Sequence, residues 1–186
     1  MNDDDLTRRI RRLEDRVAIN ELLVRYSIAC DVRDFEALGD CFSDDGSFEA
    51  VAGKVEGREA LVDYYRGRFK LYGPTVHIPE ANTIDFDDED DDRATGTVIA
   101  RSEIMMDGAF LVSAHYYRDE YARCADGAWR LRTRDNEFIY GMPLSELPTH
   151  PWREPRRRWP GVDPVAADVP EGTQTWQAFE AEIDRR

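Results

Sequence analysis

The stretch ATGTVIARSEIMMDGAFLVSAHYYRDEYARCADGAWRLRTRDNEFIY (Ala94–Tyr140) carries two Asp-Gly pairs, Asp107-Gly108 and Asp126-Gly127. Asp-Gly accepts the positive φ angles that tight hairpin turns require, so each pair reads as a reversal between antiparallel neighbours. The runs they separate, Ala94–Met106, Ala109–Cys124 and Ala128–Tyr140, are written in the period of two expected of strands. Upstream, Thr75–Phe86 reads as a fourth strand. Before Pro74 the period changes to about 3.6. Helices first and a strand meander second make an α+β pattern. Long twisted strands with helices on one face must curl around them. The expected fold is therefore a cone-shaped, curved antiparallel sheet whose N-terminal helices enclose a cavity.

The helical part begins with Leu6, Ile10, Leu13 and Val17 at steps of four, three and four. Leu22, Leu23, Tyr26 and Cys30 then continue the stripe. This reads as one amphipathic helix from about residue 5 to about residue 31. Arg8, Arg9, Arg11, Arg12, Glu14 and Asp15 would form its outer, solvated or subunit-facing side. Asp34 is positioned to cap a short helix through Leu38 and Phe42, broken by Ser43-Asp44-Asp45-Gly46. Phe48–Val51 with Val55 reads as a small hairpin. A third helix follows Gly57 and would bury Leu61, Tyr64, Tyr65 and Phe69.

Beyond Met142 the composition shifts: seven of the nine prolines fall there, so no regular element is expected before about Thr173. The division is a cone domain over 1–142 and a proline-rich arm over 143–186 that ends in a short helix. The arm carries Trp152, Trp159 and the triplet Arg156-Arg157-Arg158, and it is suited to lie over its own domain or a neighbouring subunit.

At 186 residues with 41% hydrophobic and 11% aromatic residues, the chain supports one full core. A net charge of −14 disfavours nucleic acid and anionic membrane surfaces as partners. The acid excess concentrates at Asp85 and Asp87–Asp92, a run without the glycine and terminal glutamate of a calcium loop, so it reads as a solvated inter-strand loop. The first residues contain no secretory h-region, and no apolar run is long enough to span a membrane. Cys30, Cys41 and Cys124 have no metal-site spacing and suit reduced thiols. A cytoplasmic protein with no metal site and no cofactor is the expectation. No phosphate loop, dinucleotide fingerprint or nucleophile elbow occurs.

The candidate chemistry rests on a few residues. The chain has three histidines, and two of them, His77 and His115, fall in strand-like stretches, while Asp31 closes the first helix and Tyr26 stands five positions before it. An acidic residue at a helix end and imidazoles on a sheet are parts of an acid–base pocket. A purely structural hydrogen bond is the competing role for each histidine. His115, Tyr117, Asp119 and Tyr121 share one strand face, which can line a cavity or meet solvent. Asp119 with Arg118 and Arg123 reads as a surface network, and Tyr64, Tyr65, Phe69 and Trp129 read as core.

The segment LEDRVAINELLVRYSIACDVRDFEALGDCFSDDGSFE resembles the N-terminal helices of the SnoaL-like branch of the nuclear transport factor 2-like superfamily. TVHIPEANTIDFD and YYRDEYARCADGAWRLRTRDNEFIYGMPL are similar to its sheet. The resemblance covers roughly residues 6 to 145, and it implies the cone fold and a homo-oligomer, dimer or trimer. The branch includes scytalone dehydratase, bile-acid 7α-dehydratase and hexachlorocyclohexane dehydrochlorinase. From these it implies an Asp31–His77 dyad, a second histidine at His115, a tyrosine at Tyr26 and a substrate-binding asparagine at Asn136. The chain departs from the scytalone enzyme in having Cys30 before the aspartate, and from the dehydrochlorinase in having Tyr26 where that enzyme has lysine. What the resemblance implies is a cofactor-independent lyase, a dehydratase of a small hydrophobic substrate such as a hydroxylated cyclic or polycyclic ketone. Isomerase, cyclase or dehalogenase chemistry with the same dyad, or a non-catalytic ligand-binding or subunit module, stand as alternatives.

Overall fold

The computed structural model describes residues 3–50 and 53–183. Helix α1 runs Asp3–Val32, followed by α2 (Phe35–Asp40), β1 (Phe42–Ala50), β2 (Gly53–Glu56) and α3 (Arg58–Phe69). Four long strands follow, β3 (Thr75–Phe86), β4 (Arg93–Met106), β5 (Ala109–Arg123) and β6 (Trp129–Pro143), and α4 (Gln174–Ile183) closes the arm. The six strands form one curved sheet in the order β2-β1-β6-β5-β4-β3. All neighbours are antiparallel except β1 and β6, which run parallel. The fold is the expected α+β curved sheet with N-terminal helices.

Local chemistry explains the joints. Asp107 and Gly108 both take positive φ, +49° and +75°, as the two-residue reversal between β4 and β5 requires. Asp34 caps α2 by accepting the Ala37 N–H at 3.0 Å. Ser43–Gly46, expected to be a breaker, lies instead inside β1. Its pairing with β6 is irregular between Phe42 and Ser47, so the run passes as an interruption in an edge ladder. Val51 of the expected hairpin lies outside the described residues.

Two corrections concern α1. The face packed on the sheet is Ile19, Leu22, Leu23, Tyr26, Ala29 and Cys30, whereas Leu6, Ile10, Leu13 and Val17 are exposed. The helix has two apolar faces, and the sequence reading joined them into one. Asp15, assigned to the outer side, is only 4% exposed. Its carboxylate accepts the Trp129 indole N–H at 3.1 Å and pairs with Arg123 at 2.6 Å, locking α1 to the end of the sheet. The acidic loop adds exposed pairs, Arg11 with Asp92 and Arg12 with Asp91.

Two bulges in β6 decide which of its side chains reach the concave side. Glu120 faces Thr133 while Tyr121 faces Leu131, so Arg132 is an extra residue. Ala114 faces Tyr140 while His115 faces Phe138, so Ile139 is another. Between the bulges the parity is inverted, and Arg134, Asn136 and Phe138 stand beside Asp119, Tyr117 and His115.

The arm packs on its own sheet. Beyond the reach of β1, the free edge of β6 is closed by main-chain bonds from Gly141 N–H to Arg156 O and from Arg158 N–H to Gly141 O, at 2.8 and 2.6 Å. Asp168 accepts the Phe138 N–H at 2.8 Å, and Arg156 pairs with Glu171. Trp159 packs against Gly141, where an added Cβ would meet the indole at 2.7 Å. Among the described residues no helix is long and apolar enough to cross a membrane.

Gly141→Ala overpacks this contact, at a cost of about 1–3 kcal/mol. Trypsin cleavage within Arg153–Arg158 is expected to quicken by roughly tenfold, with cleavage elsewhere unchanged.

Candidate active site

The end of α1 and the start of β3 meet at Asp31. Its Oδ1 accepts the His77 Nδ1–H at 2.6 Å and the Thr75 hydroxyl at 2.9 Å, and its Oδ2 accepts the His77 main-chain N–H at 2.9 Å. Arg33, at φ +60° just past the helix, donates to the Thr75 hydroxyl at 2.8 Å and to Gly73 O at 2.7 Å. Helix end and strand start are thereby fixed to each other. Burial alone would raise the Asp31 pKa, but the hydrogen bonds from the His77 ring, the His77 N–H and Thr75 outweigh it and hold the carboxyl below its ordinary value. Asp31 is therefore an anion that fixes the His77 tautomer, leaving Nε2 as the basic nitrogen.

His77 opens on a cavity of about 440 Å³, which His115, Tyr26 and Asn136 also line. Asp31 stands behind His77. A larger surface cleft, about 790 Å³, runs between Arg8–Arg16 of α1 and the acidic loop, away from these residues.

His115 is 2% exposed, with the Ser113 hydroxyl 3.3 Å from its Nδ1 and no partner for its buried Nε2. Burial, followed by the charges of His77 and Arg134, pushes its pKa down to about 3. It is a neutral imidazole at any ordinary pH. Tyr26 shares a 2.8 Å hydrogen bond with Tyr65, and burial raises both phenols well above their usual value, so both keep their protons. The turn of about 140° between Tyr26 and Asp31 on an ideal helix does not separate them, because β3 carries His77 into the cavity from a different wall. The Asn136 side-chain oxygen is buried without a partner.

The network around Arg134 was not anticipated. Its guanidinium forks onto Asp119 at 2.8 and 2.5 Å, and the Tyr121 hydroxyl donates to the same carboxylate at 2.8 Å. Asp119 is thus buried with Arg134 rather than part of a surface network with Arg118 and Arg123. Arg134 lies over the rings of Tyr26 and Tyr117 at 4.3 and 4.1 Å. Tyr64, Tyr65 and Phe69 belong to the core yet also face the cavity, whereas Trp129 packs at the far end with Asp15. Trp159, Pro160 and Val162 of the arm complete the wall. The sequence marked Trp159 as a packing residue of the arm, but nothing in it pointed to these three as cavity wall.

Among the described residues no group of three or more His, Cys, Asp or Glu side chains converges as a metal site requires. The three cysteines are free thiols, and burial raises the pKa of Cys41 to about 11.

A helix-lined cone with a histidine–carboxylate pair on its cavity wall defines a class, and sequence comparison specifies it. The chain belongs to the SnoaL-like domain family, whose model matches residues 11–135. No curated protein sequence matches it. Among solved structures, a type-2 hexachlorocyclohexane dehydrochlorinase (LinA) superposes with a TM-score of 0.68 at 22% identity, over 82% of this chain and 99% of that one. A type-3 LinA from Novosphingobium barchaimii gives 0.63 at 22% identity, over 73% and 94%. A scytalone dehydratase-like protein from Novosphingobium aromaticivorans gives 0.63 at 18%, over 82% and 97%. At these identities the likeness is one of fold.

Two measurements follow from the buried groups. Arg134→Met strands the Asp119 carboxylate and is expected to cost about 3–5 kcal/mol in urea unfolding. In the unfolded chain His115 takes a proton near its ordinary 6.5, and in the fold only near 3. The unfolded state therefore binds more protons in that window. The contribution of His115 to stability is complete above 6.5 and is lost as pH falls toward 3. His115→Gln is expected to flatten the fall in urea midpoint across that range.

Proposed function

We propose that this protein is a lyase that removes water from a hydroxylated cyclic or polycyclic ketone by acid–base catalysis. The observation that carries the reading is the 2.6 Å bond between Asp31 and His77 at the wall of a largely aromatic cavity. His77 Nε2 takes the proton from the carbon beside the carbonyl. The C–H electron pair becomes the new double bond, the C–O bond at the neighbouring carbon breaks, and the departing hydroxide leaves as water with the proton that the His77 imidazolium gives back. Asp31 stabilises the imidazolium formed in between.

The other groups have complementary parts. Tyr26 and Tyr65 keep their protons, and with one hydroxyl donating to the other, the second O–H of the pair is suited to polarising the substrate carbonyl. His115, uncharged, serves as a hydrogen-bonding group to the departing hydroxyl rather than as an imidazolium acid. In the tautomer where the Ser113 hydroxyl donates to Nδ1, the His115 proton lies on Nε2, the atom without a partner. The unpaired Asn136 oxygen is an acceptor for a second substrate hydroxyl. The fold it shares with a dehydrochlorinase and a dehydratase-like protein supports a reaction that begins with proton abstraction.

A panel of hydroxylated cyclic ketones, followed by ultraviolet absorbance for a new conjugated double bond, tests the reading. His77→Ala is expected to lower kcat by about 10²–10⁴-fold while leaving the circular dichroism spectrum intact. Asp31→Asn is expected to lose less, because the imidazole remains. Turnover unchanged in His77→Ala would remove the mechanism. Tight ligand binding without turnover in the native protein would favour a binding module.

A further inference from the structure

Helix α3 places one charged side chain where its pattern calls for an apolar one. Leu61, Tyr64, Tyr65 and Phe69 make the stripe that faces the core, and Arg68 stands in it, four places after Tyr64 and three after Tyr65. Arg68 is also the single Asp, Glu, Lys or Arg among the described residues that line the cavity of His77. A basic residue suits the last turn of a helix, where the main-chain dipole is negative. That explains the charge but not its direction. Arg66, in the same turn, lies over Phe35 at 4.4 Å, outside the cavity lining, whereas Arg68 lies over Tyr72 at 5.3 Å, within it.

This guanidinium has no anion. The chain holds 39 acidic residues against 25 basic ones, and most of its arginines meet a carboxylate. Among the described residues Arg68 meets none, and its hydrogen bond goes to the Tyr72 hydroxyl. The neighbours three and four places away, Tyr64, Tyr65, Leu71 and Tyr72, include no acid. Having accepted the bond from Arg68, Tyr72 has its own proton left to donate, and no acceptor for it stands among the described residues. Tyr64 keeps its proton as well, because burial raises its pKa against the pull of Arg68. One fixed cation and two phenol donors thus stand together on the open side of the cavity, where Leu71 is 54% exposed. The larger cleft beside α1 also holds arginines, but there Asp88, Glu89 and Asp91 share the lining with them.

We propose that this end of the cavity is a carboxylate subsite, and that the substrate is a hydroxylated cyclic or polycyclic keto acid. The inference rests on the proposed function and narrows its substrate class. A guanidinium fork matches the two oxygens of a carboxylate, and its single charge balances a monoanion. A phosphate dianion would call for a second cation, and no other Lys or Arg lines the cavity among the described residues. The net charge of −14 does not bar entry, because at physiological salt exposed charges are screened beyond about 8 Å. With its acid held by Arg68, the substrate presents its ring to His77 from a fixed end.

Isothermal titration calorimetry on the full chain tests this with a tetralone bearing a carboxylate on its aromatic ring and with the methyl ester of the same compound. Neither carries a hydroxyl to eliminate, so binding is read without turnover. The acid is expected to bind roughly tenfold more tightly than the ester, by a margin that narrows as salt rises. Arg68→Met is expected to bring the acid down to the affinity of the ester with an unchanged circular dichroism spectrum. Arg68→Lys keeps the charge without the fork and is expected to retain part of the margin. His77→Ala should leave the margin in place. An ester bound as tightly as the acid, or a margin that survives Arg68→Met, overturns the carboxylate subsite and leaves the reaction of the dyad standing. Binding of neither compound overturns the subsite together with the cyclic-ketone reading.

Discussion

A fully buried guanidinium has to be neutralised where it stands, and Arg134 sets that requirement for the interior of the cone. Burial works against its charge, but the forked bonds to Asp119 outweigh burial and raise its pKa well above the usual value. To meet the arginine, Asp119 must point inward from β5, and Tyr121 must turn its hydroxyl onto the same carboxylate. Tyr26 from α1 and Tyr117 from β5, their rings nearly perpendicular to each other, both lie against the cation, so one charge joins the helix to two strands. Hydrophobic side chains in place of both Arg134 and Asp119 would fill this space at comparable stability. What it would not supply is direction. The pair fixes the orientation of the tyrosines that form one end of the cavity.

The opposite end is organised by an anion. Asp31 gathers three hydrogen bonds from His77 and Thr75, and these set the distance between α1 and β3 as well as the state of the imidazole. Between the two ends lies an uncharged region where His115 is neutral and the tyrosines keep their protons. A paired anion behind His77 and a paired cation behind Tyr26 and Tyr117 thus both stand outside a cavity lined mainly by uncharged aromatic and imidazole groups.

The sequence made the order of elements and the four long strands readable because Asp-Gly turns and a change of period are local signals. It left the orientation of α1 ambiguous for a physical reason: a periodic stripe identifies a helix face but not which of two apolar faces the sheet will cover. Arg134 was hidden by geometry. Counting by twos along β6 groups it with Arg130 and Arg132 on the outside, and only the extra residue at Arg132 turns it inward. The same bulge hides Asp119, whose partner is undefined until the register is known. Asp31 and His77, by contrast, were singled out by residue type and place, at a helix end and on a strand, but their pairing came through resemblance. Their distance of 46 positions in the chain carries no signal of its own.

The arm has a different standing from the rest of the cavity wall. Its attachment to β6 depends largely on main-chain bonds at Gly141 and Phe138, which are indifferent to side chain, while Trp159, Pro160 and Val162 face the interior. It also lies beyond the stretch that the family model matches. Floor and roof can therefore diverge at separate rates. A lineage can repaint the roof, and so change which molecule is admitted, without disturbing the imidazole, its carboxylate or the buried cation. On the proposed function, the roof would set which molecule fits and the dyad what becomes of it.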